Sequence, residues 1–349
     1  MKHVRPLFVL LLFILASCQR HGSLLSDFKP YEGNIVELGS QVDSSDLGLV
    51  EGLHCNDSTF VILDFHHNKS YSLFGLDKKR IVKRFGEIGN GHLEIPIGCV
   101  GNIYKDKFVV FDDERSIIAT YTLSLDSTLV KCVSVHKYKI PDAQFTKIVP
   151  AEDGLFIGMG SYKDKYQYVL FNDQNKVLDY SYELYNANDD EFNTYQKFLS
   201  NQGKLARHPK KMLFAGVVRY SSNMDIFKVD GGKIKNIKSF RMQNPSYTTM
   251  QMMGLSRVVP QDDAINGFLD ICATEKYILA LYSDEKIRVS PYHSKTILVF
   301  DWDGNKICRI DMPNDAFYIS ANGNNIYTAE KEDKGKYIIK GYKIKLNQN

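Results

Sequence analysis

Short apolar runs rich in aromatic and β-branched residues recur along the chain, separated by Asn, Asp and Gly. Phe60–Asp64 is followed by Tyr71–Asp77, Phe108–Asp112 by Ile118–Leu123, and Leu155–Met159 by Tyr168–Asp173. Further on, Met212–Gly216 precedes Met224–Asp230, Ile278–Tyr282 precedes Ile297–Asp303, and Ile326–Glu330 precedes Tyr337–Tyr342. Such runs suit half-buried pleated strands. The first members lie 48, 47, 57, 66 and 48 residues apart, with flanking strands such as Arg80–Phe85 and Lys306–Asp311. Four short strands at a period of about 45–50 residues are what a propeller blade looks like in sequence. The pattern predicts an all-β, six-bladed β-propeller over residues 31–349. Its last unit, Ala316–Leu346, supplies only three strands, and Gly33–Leu38 is a strand with no unit of its own. Pairing this N-terminal strand with the last blade closes the ring and hides two sheet edges. Two separate β-domains would need a linker, and none is found.

The two long intervals hold insertions. Asn188–Glu191 predicts a capped, acidic helix start, and Phe192, Tyr195, Phe198 and Leu199 follow at helical spacing to cover an apolar patch. Between Asn244 and Ala264, Met250, Met252, Met253 and Leu255 lie in a stretch bounded by Pro245 and Pro260. That stretch is expected to fold back onto the propeller, with a mobile partner surface as the alternative. Asp301–Asn305 and Asn172–Lys176 are hairpin turns; the first lacks the sixth-position Gly and twelfth-position Glu of a calcium loop.

Before all this comes a different pattern. Lys2 and Arg5 precede the apolar run Leu7–Leu15, which is too short to span a bilayer as a helix. Leu15-Ala16-Ser17-Cys18 closes it and resembles a bacterial lipobox. The expectation is a signal peptide over 1–17, lipid on Cys18 and a tether over 18–30. Gln19 is not an acidic inner-membrane retention residue, so the outer membrane is expected, on its periplasmic side. Removing residues 1–17 takes the balance from 44 basic and 41 acidic residues to 42 and 41, a net charge near +1, which argues against nucleic acid as partner. The remaining cysteines, Cys55, Cys99, Cys132, Cys272 and Cys308, contain no C-x-x-C pair and fit neither a zinc site nor a disulfide framework. A Cys55–Cys99 bond stays open as an alternative to buried free thiols.

Several segments resemble one family. Tyr195–Leu199, His208-Pro209, Lys211–Gly216 and Met224–Phe227 are similar to the middle of the TolB-like six-bladed propeller lipoproteins. Tyr277–Ser283 and Ile297–Asn305 match their later blades, and Phe85–Pro96 resembles a Gly-rich segment between early ones. The resemblance implies a fold and a cell-envelope location, and carries no catalytic residue with it. Gly86, Gly89 and Gly91 are not a dinucleotide fingerprint, because no helix follows them.

In a propeller, the connections between second and third strands emerge on one face around the channel mouth. Aligning the repeats puts His66, Asp113, Arg115, Tyr162, Arg219, Tyr220, Arg288, Tyr292, His293 and Glu330 around that rim, with the Gly89–Gly91 loop. Arg and Tyr at a concave mouth suit a carboxylate, phosphate or sugar. His66 and His67 are adjacent and do not chelate as a helical i, i+4 pair does; no metal or cofactor is expected. His293 near Asp284 has the makings of a general base with an orienting acid, but no nucleophile or G-x-S-x-G elbow accompanies it. The expectation is a non-catalytic binding or scaffold lipoprotein that presents a propeller face to an envelope protein or an oligosaccharide. Its alternative is an envelope enzyme acting on a glycan at the channel mouth, which needs two carboxylates at a defined separation.

Overall fold

In the computed structural model, which describes residues 23–89, 91, 94, 100–113, 115–123, 130–188, 192–242, 246–252, 255–289 and 292–346, the paired apolar runs become the middle strands of antiparallel sheets. After β1 (Val36–Val42), the first sheet holds β2 (Gly52–Cys55), β3 (Thr59–His66), β4 (Lys69–Gly75) and β5 (Arg80–Glu87). The second holds β6 (Val100–Tyr104), β7 (Lys107–Asp112), β8 (Ile117–Thr122) and β9 (Lys131–Lys137). The third holds β10 (Ala143–Glu152), β11 (Leu155–Tyr162), β12 (Tyr166–Asn172) and β13 (Val177–Glu183). The fourth holds β14 (Gly203–Arg207), β15 (Leu213–Val218), β16 (Met224–Asp230) and β17 (Lys233–Phe240). A hairpin, β18 (Tyr247–Met252) and β19 (Leu255–Pro260), precedes β20 (Ile265–Ala273), β21 (Tyr277–Lys286), β22 (Ser294–Asp301), β23 (Lys306–Asn322), β24 (Asn325–Lys331) and β25 (Tyr337–Lys343). These last six form one sheet with β1, in the order β1-β25-β24-β23-β22-β21-β20. The molecule is an all-β propeller.

The 17-residue β23 does two jobs. Its first part pairs with β22 as far as Thr296↔Asp311, its second pairs with β24 from Ala316↔Glu330 to Asn322↔Asn325, and Ala316 also faces Ser294 of β22 across a register shift. Pro313, which has no N–H to give a ladder, sits in the irregular stretch between the two registers. The inner strands touch in the order β2, β6, β10, β14, β20, the second part of β23, and β2 again.

Both faces of the middle strands are buried, and the outermost strands are polar and partly exposed: β4 has six buried residues of seven, β17 one of eight. Apolar clusters therefore fill the gaps between neighbouring sheets. One joins Val61, Tyr71, Phe85, Phe108 and Tyr121 between the first and second sheets. Another joins Leu53, Phe60, Phe74, Tyr327 and Ile339 where the first sheet meets β24 and β25. There the Phe60 and Phe74 rings stack at 4.4 Å, with Tyr327 at 5.3 Å from Phe60.

Three expectations need correction. The helix, α1, covers Thr194–Ser200; its cap is Asn193 rather than Asn188, in a reciprocal capping box with Gln196. It buries Gln196 and Ser200 and leaves Tyr195 exposed, so hydrogen bonding sets its seat more than an apolar stripe does. The Met-rich stretch, by contrast, folds back as expected, as the β18–β19 hairpin with Tyr247 against Tyr220. The N-terminal strand is displaced to Val36–Val42 and pairs with β25. Residues 23–30, assigned to the tether, lie on the body: Leu24 and Phe28 are buried, Phe28 meets Phe300 edge-on at 5.0 Å, and Pro30 bridges to Arg309. Cys55 is a free thiol; Cys99, Cys18 and the signal segment lie outside the described residues.

Truncating Phe60 to Ala empties a ring-sized space where the first sheet meets the last. The expected loss is about 3–5 kcal/mol of unfolding free energy, measured by urea denaturation. A loss below about 1 kcal/mol would mean that this seam does not hold the ring.

Candidate functional site

Two kinds of connection share one face. The Arg219 N–H, between β15 and β16, donates to the carbonyl of Gln202, just before β14, at 2.9 Å. The guanidinium of Arg219 lies 4.8 Å from the Tyr220 ring centre and 4.9 Å from that of Tyr292, in the β21–β22 connection. Stacking of this kind suits the planar, weakly hydrated guanidinium. Tyr220 and Tyr292 have φ of 59° and 67°, a conformation that bulky L-residues seldom adopt. Asn266 holds both, with its carbonyl accepting from the Tyr220 N–H at 3.2 Å and its Oδ1 from the Tyr292 N–H at 3.4 Å. Tyr247 of the hairpin meets Tyr220 edge-on at 6.0 Å. Among the described residues the Arg219 guanidinium has aromatic neighbours and no ion pair.

The other expected rim residues do not join this cluster. His66 stacks on His67 at 4.0 Å and has Arg84 Nη2 2.9 Å from its Nδ1; burial first, and then that guanidinium, hold its imidazole below the usual range. Arg115 is a strut: Nε donates to buried Asp112 at 2.5 Å, Nη1 to the Gly91 carbonyl at 3.0 Å and Nη2 to the Glu94 carbonyl at 2.5 Å. The Gly91 loop is thereby drawn to the rim. Asp113 is exposed beside it. Tyr162 is buried against Tyr180 at 5.2 Å. Arg288 pairs with Asp262 at the surface. Glu330 is buried and accepts from Thr328 Oγ1 and the Tyr342 hydroxyl, both at 2.7 Å. His293 lies 3.6 Å from Asp315 rather than beside Asp284, whose carboxylate accepts from Ser23. That base–acid pair is not formed.

Residues 52–324 match the family described as TolB-like 6-blade propeller-like. The chain belongs to that family. No curated protein matches it. Among solved structures, this TolB-like propeller is similar to a Bacteroides fragilis protein named as exported, with TM-score 0.55 and 13% identity over 91% of this chain and 98% of that one. It is also similar to a DUF4221-family member from Bacteroides vulgatus, with TM-score 0.52 and 11% identity over 93% and 100% of the two chains. At such identities the likeness is one of fold.

Sequence reading missed the buried charges on the inner strands of this TolB-like propeller. Lys147 on β10 is buried, with Nζ donating to the Gly101 carbonyl at 2.9 Å. Asp270 on β20 accepts from the Ile319 N–H at 2.9 Å and lies 3.8 Å from Lys204 Nζ, which stands 5.5 Å from the Tyr318 ring centre. Burial pulls the Lys147 ammonium down to about 7, and pushes the carboxyls of Asp270 and Glu51 up. The available signal was a charge interrupting an apolar inner strand, as in Phe145-Thr-Lys-Ile-Val149 and Phe268-Leu-Asp-Ile-Cys272. On the opposite face from Arg219 a cavity of about 580 Å³ opens between the ends of the inner strands, lined by His54, Cys55, Lys105, Arg207, Cys272 and Ser320 among others. Burial drives the Cys55 thiol up to about 12 and Cys272 well above its ordinary value, so neither is an activated nucleophile at neutral pH. Among the described residues no group of three or more His, Cys, Asp or Glu could hold a metal ion, and no helix is long and apolar enough to cross a membrane.

Lys147 makes stability depend on pH. Unfolded, its ammonium keeps its proton to the ordinary value of 10.5; folded, it keeps it only to about 7. Between those values the unfolded state binds more protons, so stability rises with pH. From pH 7 to about 8.5, before unfolded thiols titrate, the expected gain is about 1.5–2 kcal/mol. Urea denaturation across that window checks it, and Lys147→Met should flatten the slope; an equal slope in both proteins would assign it to other groups.

Proposed function

We propose that the chain is a non-catalytic, lipid-anchored binding module of the cell envelope that presents its Arg219 face to a protein partner or an oligosaccharide. The observation that carries this reading is the Arg219 guanidinium clasped by Tyr220 and Tyr292 in strained backbone. Strain of this sort is kept where a site is preorganised. The un-neutralised cation suits a carboxylate or phosphate, and the exposed Tyr292 ring suits a sugar face.

The scaffold of this reading is a six-bladed ring. The last sheet counts as two blades that share β23, with β1 as outer strand of the sixth; the cyclic contacts of the inner strands and the β1–β25 register support it. The setting is the outer membrane, on the periplasmic side, with lipid on Cys18. Lipobox-like Leu15–Cys18 supports it, as does the fold shared with a protein named as exported. Cys18→Ala should move the protein to the soluble fraction; retention through a carbonate wash would refute the anchor.

A second reading, an enzyme acting on a glycan, is favoured by Glu51 and Asp270, two carboxyls raised by burial with Lys204 facing both. It weighs less, because Asp270 is already held by the Ile319 N–H and Lys204. Crosslinking and pull-down of the lipidated protein from its own envelope separates the readings. Arg219→Ala with Tyr292→Ala should cost a specific partner about 2 kcal/mol, roughly thirtyfold in affinity. Unchanged capture would remove the rim from the interface. Cleavage of an oligosaccharide panel that Asp270→Asn abolishes would establish the enzyme instead.

A further inference from the structure

The chain enters the propeller at a defined point. Ser23 Oγ donates to Asp284 Oδ2 at 2.5 Å, Asp27 pairs with Lys306 at 2.5 Å, and Leu24 and Phe28 are buried. Only five peptide units separate Ser23 from Cys18, a reach of about 18 Å when fully extended. Asp284 stands at the Arg219 face. Arg219 bridges to Gly267, and Gly267 pairs with Ser283, so the Ser23 contact lies about two strand spacings, roughly 10 Å, from the Arg219 clasp.

The same face is apolar in an unusual way. Of the ten large apolar side chains exposed among the described residues, Tyr195, Met242, Met250, Val289 and Tyr292 all sit on its connections. Val289 is 73% exposed, Tyr195 51%, Met250 and Tyr292 47%. Helix α1 touches β19, Tyr247 meets Tyr220, and Arg219 joins Tyr220 to Tyr292, so the segments that carry these residues adjoin one another from the third sheet to the last. Scattered apolar residues need no explanation, but a contiguous set marks an interface. Tyrosines at the edge of an apolar patch are suited to the level of lipid headgroups.

We propose that this face, built from α1, the β18–β19 hairpin and the β21–β22 connection, docks on the phospholipid surface. The proposal rests on the Cys18 anchor of the preceding section and gives that anchor an orientation. A lipid within about 18 Å of Ser23 keeps the insertion-built side against the bilayer, leaves the Arg219 clasp at headgroup level, and turns the cavity of the opposite face towards solvent. A partner of the clasp is then met in the plane of the membrane.

The test is depth-dependent quenching. The lipidated chain is reconstituted in phosphatidylcholine vesicles with brominated acyl chains, carrying either Val289→Trp or Asn324→Trp. Asn324 is exposed on the opposite face, beside the large cavity. Trp302, buried with its Nε1 donating to the Thr274 carbonyl, contributes the same background to both proteins. Docking predicts a loss of the added emission from Val289→Trp and none from Asn324→Trp. Equal emission from both, or loss from Asn324→Trp alone, overturns it, including the case of a face that recruits a protein instead of lipid. Cys18→Ala in the Val289→Trp background separates the two readings: vesicle release with quenching intact in the lipidated protein upholds both. Quenching without any need for Cys18 keeps the docking face and refutes the anchor, and an anchored but unquenched protein does the reverse.

Discussion

A sheet whose middle strands are apolar on both faces has to be covered on both sides, and this requirement organises the molecule. Phe60 packs towards Tyr327, Tyr71 towards Phe108, and Tyr168 towards Phe227 at 4.7 Å, so each sheet covers one face of the next. An open stack would leave two such faces in water, at a cost of about 25 cal/mol for each Å² of apolar surface. Stacking the sheets on one another crowds their inner strands together. The buried charges of Lys147 and Asp270 are a product of that crowding, and hydrogen bonds to the Gly101 carbonyl and Ile319 N–H make them tolerable.

The middle strands were the most legible part of the sequence, because burial on both faces makes them near-continuous apolar runs. Met224–Asp230 coincides with β16 at both ends. The single strand β23 was hidden by Met312-Pro313-Asn314-Asp315, which reads as a break and is in fact an irregularity within one strand. The helix start was misplaced for a local reason: Asn188 with Glu191 and Asn193 with Gln196 have the same capping-box spacing, and the reciprocal pair forms at the second.

The rim was legible in its backbone and not in its side chains. Repeat alignment put the β15–β16 and β21–β22 connections on one face, where Arg219, Tyr220 and Tyr292 meet. It also named Arg115 and Glu330, which are spent on internal contacts with Asp112 and Tyr342. Nothing in a linear pattern distinguishes a charge aimed at solvent from one turned onto a neighbouring loop or strand. The Ser23–Asp284 contact spans 261 positions and was invisible for the same reason.

Strand β23 also limits how this chain can vary. At most junctions between neighbouring sheets the chain leaves an outer strand, crosses over in a loop and returns at the axis; α1 and the β18–β19 hairpin occupy two of these crossings. Between the run of β23 that pairs with β22 up to Asp311 and Ala316, which faces both β22 and β24, there is only Met312–Asp315. Added sequence there has no loop to lengthen and shifts one ladder against the other, turning buried residues outward. Relatives that acquire new decorations are therefore expected to carry them at the other crossings, and length at this one should be the most conserved dimension of the ring.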